Sequence, residues 1–396
     1  MKERKAKQAL AIMVVGLLFL VACKKTVTQI VQSAPNNTNN TWQSLDAVNL
    51  IGANFYNSGC FNDSLFTLAN GTCYFTMNVG KNGFSNAFFL TLLNVNDNLQ
   101  ATSAINFYNN YCIYYATNNT INILHIPYNN QFSQFIYVPN YTPGLNSIFS
   151  QLYYSPDQCF PVGSYPLNSG HYMLSPVETA DYNTVRFDLV NLDTSFIGSP
   201  GLPTHPNMSS VKMVSVSPAA GTLPATSFYY CATFFNKFFV NFNSQLYRID
   251  TLGNVKAFGY NPVTPTVANN FRFYNMFSIG NNLFINSYGN IFYSTDKGET
   301  WQQFNTISNY PNALSYIIFR TIDDKLYATM MGSNKLFIVG MNGNNFYLNE
   351  LNNTGIPDNS RITSLTRVGK YFFVTTYNGV YYRDTAYVNQ LKTPIH

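Results

Sequence analysis

The sequence predicts an all-β protein, a β-propeller of about seven four-stranded blades, and three observations lead there. A hairpin pattern recurs about every 44 residues, the sign of one supersecondary unit copied around an axis. The runs within it are aromatic and β-branched, and the links between them are built from Gly, Asn and Ser, which tolerate the positive φ of tight hairpins. The chain carries 30 Tyr and 33 Phe among 396 residues while only 10% of it is charged. Aromatics at that density suit strands far better than helices.

Four copies stand out in the C-terminal half: 238–241 leading to 246–248, 283–286 to 291–293, 326–329 to 336–338, and 372–375 to 380–382. Their first residues lie 45, 43 and 46 apart, so each copy counts as one blade. Weaker copies precede them at 65–68 with 73–75, at 113–116 with 121–123, and at 172–174 with 185–187. Seven copies predict seven blades, and the stretch from Val190 to Ala232, which fits the pattern poorly, leaves six or eight open. No long stretch holds a 3.6-residue period, so little helix is expected.

The N-terminus is read as a targeting segment. Lys2, Arg4, Lys5 and Lys7 precede an apolar run over 9–20, too short to span a bilayer, so a signal peptide over 1–22 is expected. The run ends in Leu20-Val21-Ala22-Cys23, which resembles a bacterial lipobox. That resemblance implies cleavage before Cys23, lipidation of its thiol and anchoring to a membrane. Lys24 and Lys25 resemble the residues after the cysteine in lipoproteins of the Bacteroidetes type, which implies the outer membrane, surface exposure being open. Residues 23–45, rich in Gln, Asn, Thr and Ser, are expected to form a flexible tether. Residues 46–396 form the propeller domain, ample for a single large core.

Between two blades the chain reads Ser294-Thr295-Asp296-Lys297-Gly298-Glu299-Thr300-Trp301. This octet resembles the Asp-box, or BNR repeat, at all five of its fixed positions: Ser294, Asp296, Gly298, Thr300 and Trp301. The resemblance implies a structural turn lying away from the central face. Asp296 would accept turn N–H groups, Gly298 would supply the positive φ, and Trp301 would bury its ring over the turn. Tyr153-Tyr154-Ser155-Pro156-Asp157 looks like a decayed relative that lacks the Gly and Trp.

The Asp-box is common in sialidases, which grip a carboxylate with three arginines and act through a Tyr–Glu pair and an acid Asp. Here the first arginine beyond the leader is Arg186, no Arg-Ile-Pro occurs, and the glutamates beyond the leader are Glu178, Glu299 and Glu350. The resemblance therefore extends to a sialidase-like fold without its catalytic residues. A two-carboxylate hydrolase needs an acid facing a base or nucleophile across the scissile bond. Asp181, Asp188, Asp323 and Asp324 are the candidates, although Asp323-Asp324-Lys325 reads as a turn.

The formal charge is +5, and removing the leader leaves about +2 without basic runs, which argues against a nucleic-acid partner. Beyond Cys23 stand Cys60, Cys73, Cys112, Cys159 and Cys231. An exported protein permits disulfides, and Cys60 with Cys73, flanking the first hairpin, is the candidate pair. Four histidines without clustered spacing give no metal site, and no cofactor is expected. The expected function is a non-catalytic module binding a glycan or protein, with loops such as Asn109-Asn110-Tyr111 and Tyr260-Asn261-Pro262 suited to sugar contact. The alternative is an Asp-box-type glycoside hydrolase acting on extracellular polysaccharide.

Overall fold

The computed structural model describes residues 40–45, only the strands between 55 and 216, and then 229–242, 245–258, 273–287, 290–304, 317–343 and 345–392. The first strand in chain order, β1, spans Gln43–Ser44. Blade 1 holds β2 (Phe55–Phe61), β3 (Ser64–Ala69), β4 (Thr72–Met77) and β5 (Ser85–Thr91). Blade 2 holds β6 (Asn106–Tyr108), β7 (Tyr111–Ala116), β8 (Thr120–His125) and β9 (Ser133–Tyr137). Blade 3 holds β10 (Tyr165–Pro166), β11 (Tyr172–Asp181), β12 (Thr184–Ile197) and β13 (His205–Val216). Blade 4 holds β14 (Tyr229–Phe234), β15 (Lys237–Phe242), β16 (Gln245–Ile249) and β17 (Val255–Phe258). Blade 5 holds β18 (Phe273–Ile279), β19 (Asn282–Ser287), β20 (Asn290–Ser294) and β21 (Gln302–Phe304). Blade 6 holds β22 (Ile317–Ile322), β23 (Lys325–Met330), β24 (Leu336–Asn342) and β25 (Asn345–Glu350). Blade 7 takes β26 (Ile362–Val368), β27 (Tyr371–Thr376) and β28 (Gly379–Asp384) from the C-terminus, and β1 supplies its fourth strand.

Among the described residues these are seven four-stranded antiparallel sheets. Each first strand touches the first strands of the neighbouring blades, and β26 meets β2, so the inner strands form a closed ring. All seven sequence repeats are the hairpin of the second and third strands. The stretch from Val190 to Ala232 is no extra blade. It completes the long strand β12, supplies β13 and begins β14.

The apolar runs are continuous because both faces of each blade are buried. Phe238 and Val240 pack toward blade 3 with Leu174, Phe187 and Val214, while Phe239 between them packs toward blade 5 with Met276, Leu283 and Ile285. The same alternation sends Leu283 and Ile285 toward blade 4 and Phe284 toward blade 6. These runs end in a buried polar residue, Asn241, Asn286, Thr329 or Thr375. Asn286 shows the use of that position: its amide donates to the Ile317 carbonyl at 2.8 Å, while Asn275 accepts the Phe319 N–H at 2.7 Å. Blade 5 thereby satisfies backbone groups on the inner strand of blade 6 that have no ladder partner.

The tether boundary after residue 45 falls too late. Gln43 pairs with Tyr382 and Ser44 with Tyr381, and both Trp42 and Leu45 are buried. Trp42 donates its indole N–H to the Asn352 carbonyl at 3.2 Å, and its backbone N–H goes to Thr354. Arg383, itself buried, bonds the carbonyls of Asn40 and Asn352 and the Gln390 side chain. The apolar Trp and Leu are what draw this short segment out of the polar stretch and into the last blade.

Candidate functional site

The antiparallel meander sorts the connections onto two rims of the disc. Turns between first and second strands, and between third and fourth, fall on one rim, here the turn rim. Turns between second and third strands fall on the other, where the inter-blade connections also deliver the chain to each inner strand. This is the loop rim. The connections that arrive there span residues 92–105, 138–164, 217–228, 259–272, 305–316 and 351–361. Links of this length between strands are uncommon and are commonly functional. The segments 217–228, 259–272 and 305–316 carry one charged residue between them, Arg272.

The described part of the loop rim is Asn-rich. Asn353 donates to the Asn334 carbonyl at 3.0 Å, and Asn334 donates to Pro357 and Asp358, tying the 351–361 connection to the turn between β23 and β24. Asn359 and Asn378 are exposed beside them, next to half-buried Tyr377. Amides with exposed donors and acceptors beside aromatic rings can bond hydroxyls and backbone groups without ionic attraction.

In blades 4 to 7 the turn rim is built differently, from tight turns. Asp323 and Asp324 have φ of 50° and 58°, as do Phe235 and Asn236 at 49° and 61°. Positive φ at both central residues matches the right-handed twist of a two-residue hairpin. Asp323 pairs with Arg367, and Asp324 is exposed.

The octet 294–301 links β20 to β21 on this rim. Asp296 Oδ1 accepts the Ser294 hydroxyl at 2.7 Å and the N–H groups of Glu299 and Thr300 at 3.0 and 2.9 Å, while Oδ2 accepts the Thr300 hydroxyl at 2.6 Å. Ser294 Oγ in turn accepts the Gly298 N–H at 2.8 Å. Partial desolvation raises the Asp296 pKa, but the hydroxyls of Thr300 and Ser294 and the N–H groups of Thr300 and Glu299 outweigh it and hold the carboxyl well below the usual carboxylate range.

This turn also clasps two blades. Gly298, at φ 84°, lies so close to blade 4 that a Cβ would stand 2.5 Å from the Phe239 ring. Trp301 is half-buried and meets that ring edge-on, centroids 6.5 Å apart. Glu299 reaches Lys237 and Lys256, each at 3.1 Å, and Arg248, all on the face of blade 4 turned toward it. The bonds from Lys237 and Lys256, with Arg248 adding to them against a small desolvation, lower its pKa to about 2.

Blade 4 repeats the device with a different sequence. Asp250 Oδ1 accepts the N–H groups of Leu252 and Asn254, both at 2.9 Å, and Gly253 lies against Lys212 and Val214 of blade 3. Sequence reading missed this turn because only the Asp and Gly are shared, at altered spacing. The Tyr153–Asp157 stretch taken for a decayed copy lies outside the described residues, within the connection from β9 to β10.

Other sequence expectations fare as follows. Cys60 and Cys73 are not brought together. Cys60 pairs with Leu65 and Cys73 with Leu68, so β3 lies between them and they are offset by three residues along it. Two strand spacings plus that offset exceed the roughly 7 Å limit for bridging Cα atoms, and Cys60 is a free, exposed thiol. Asp188 is fully buried in β12. Asp181 ends β11 at the turn to β12, on the loop rim, whereas Asp323 and Asp324 stand on the turn rim. The hydrolase candidates are thus on opposite sides of the disc and do not face one another. Cys23, Asn109, Asn110 and Tyr260-Asn261-Pro262 lie outside the described residues. Among the described residues no His, Cys, Asp or Glu group is arranged to hold a metal.

No protein-family model matches the chain, and no curated protein matches it. Solved structures similar to it include YCF48 bound to a D1 peptide, at 12% identity over 89% of this chain and 99% of that one, TM-score 0.48. PorZ, an essential bacterial surface component of the type-IX secretion system of Porphyromonas gingivalis, is 12% identical, with 90% of this chain and 40% of that one covered and a TM-score of 0.44. The extracellular domain of the one-component system BT4673 from B. thetaiotaomicron is 12% identical, over 88% of this chain and 40% of that one, TM-score 0.45. The chain thus spans about two-fifths of the PorZ and BT4673 chains.

Proposed function

We propose that this chain is a bacterial envelope lipoprotein, anchored through acylated Cys23 in the outer membrane, whose propeller binds a glycan or protein ligand at its loop rim. The octet 294–301 is then an Asp-box used as a structural clasp. One observation carries the binding reading: the links between sheets are long and nearly uncharged and arrive on one rim, while the turns described on the other rim, in blades 4 to 7, are tight and hydrogen-bonded. A rigid ring that presents adaptable loops on one side is a scaffold for recognition. The carboxylates a hydrolase would need are divided between the two rims.

The test is a glycan array and a reducing-sugar assay run on the same protein. We expect retention on one glycan or peptide class without turnover. Replacing residues 259–272 by a short Gly-Ser link, or Tyr377→Ala with Asn378→Ala, should weaken retention about tenfold or more. Sugar release from the panel, abolished by Asp181→Asn or Asp323→Asn, would overturn the binding reading in favour of the hydrolase.

A further inference from the structure

Three of the five large apolar side chains exposed among the described residues stand on the turn rim. Leu252, 71% exposed, tips the turn between β16 and β17, and Val255, 40% exposed, begins β17. Met341, 55% exposed, stands near the end of β24 beside the corresponding turn of blade 6. Lys212 and Val214 on β13 touch Gly253 beside them, and Met213, between the two along the strand, faces the other way. Single exposed apolar residues are ordinary. Apolar tips on the turns of one rim, set among lysines, form a surface of the kind that enters a membrane interface.

The charge of this rim fits such a surface. Lys212 and Lys297 are exposed, and Lys256 is half-exposed. Lys237, Arg248 and Lys256 are taken up by Glu299, and Asp250 and Asp296 by N–H and hydroxyl groups of their own turns, so Lys212 and Lys297 are the exposed cations that this part of the rim presents. Nearer the axis, Asp323 and Asp324 are set among Lys325, Arg367 and Lys370.

We infer that the turn rim of blades 4 to 6 rests on an anionic lipid surface, with Leu252, Val255 and Met341 entering the interface and Lys212 and Lys297 facing the headgroups. This rests on the reading that Cys23 is acylated, and it points the loop rim away from the membrane. The experiment uses the chain from residue 23 with Cys23→Ser, which carries no acyl group, and sucrose-loaded vesicles of phosphatidylcholine with or without phosphatidylglycerol. The protein should pellet with anionic vesicles and bind neutral ones about tenfold more weakly. L252D with M341D should lose about tenfold in binding at an unchanged melting temperature, since both side chains are exposed. Failure to pellet with anionic vesicles, equal pelleting of the variant, or retention on an acidic polysaccharide without vesicle binding would overturn the inference. Acylation is read separately, by a fatty-acid label present on the parent and absent from Cys23→Ser. Its absence from the parent would overturn the anchor, whatever the vesicles show.

Discussion

Gly298 and Trp301 set how blade 5 meets blade 4. Gly298→Ala would force a Cβ into the Phe239 ring at a φ of 84°, and should destabilise the fold by about 2 kcal/mol or more, read from the urea midpoint. Trp301→Ala should cost about 2 to 3 kcal/mol, below the range for a fully buried ring because this one is half-exposed. The neighbouring carboxyls make a prediction for acid. Asp296 and Glu299 are held below their ordinary values in the folded chain, so their contribution is present above the unfolded pKa, near 4.5 for Glu299, and is lost as pH falls toward about 2. Glu299→Gln should flatten the fall in stability over that window, by at most about 1 kcal/mol because exposed ion pairs are screened. A variant whose acid unfolding tracked the parent would remove the clasp. The five residues of the octet were legible because they are local. Glu299's partners were not, since Lys237, Arg248 and Lys256 reach it only once two blades are stacked.

At the scale of elements, the seventh blade depends on a two-residue strand. A chain starting at residue 40 should melt like the parent, whereas one starting at residue 46 should lose about 3 kcal/mol or more, since it lacks buried Trp42 and Leu45. Gly355→Ala should mimic that truncation, because its Cβ would fall 2.0 Å from the Trp42 carbonyl oxygen. Equal melting of the two truncated chains would show that β1 adds nothing. The second–third hairpins were legible in all seven blades because burial on both faces writes unbroken apolar runs. The inner strands were harder to read: Asn275, Ser364 and Thr366 make them look like loops, although these residues are buried. Two residues carry no period at all, so β1 was taken for tether.

The whole molecule is a ring with unlike sides, and that asymmetry follows from connection lengths rather than from any one motif. It was partly legible, because the repeat set the blade count and the hairpins. Which loops share a side depends on strand direction within each sheet. The asymmetry also argues against pairing Asp181 with Asp323, for no reshaping of a side chain brings carboxyls together through the thickness of a disc.

The joining of Gln43–Ser44 to Gly379–Asp384 has a kinetic meaning. The strand at 43–44 cannot find its mate until nearly the last residue has been made, and contacts so distant in sequence form slowly. Six sheets can zip up from local hairpins, but the circle shuts only when head and tail occupy the same compartment. Anything that holds either end back keeps the ring ajar, and the meeting of the two acts as the latch on the finished fold.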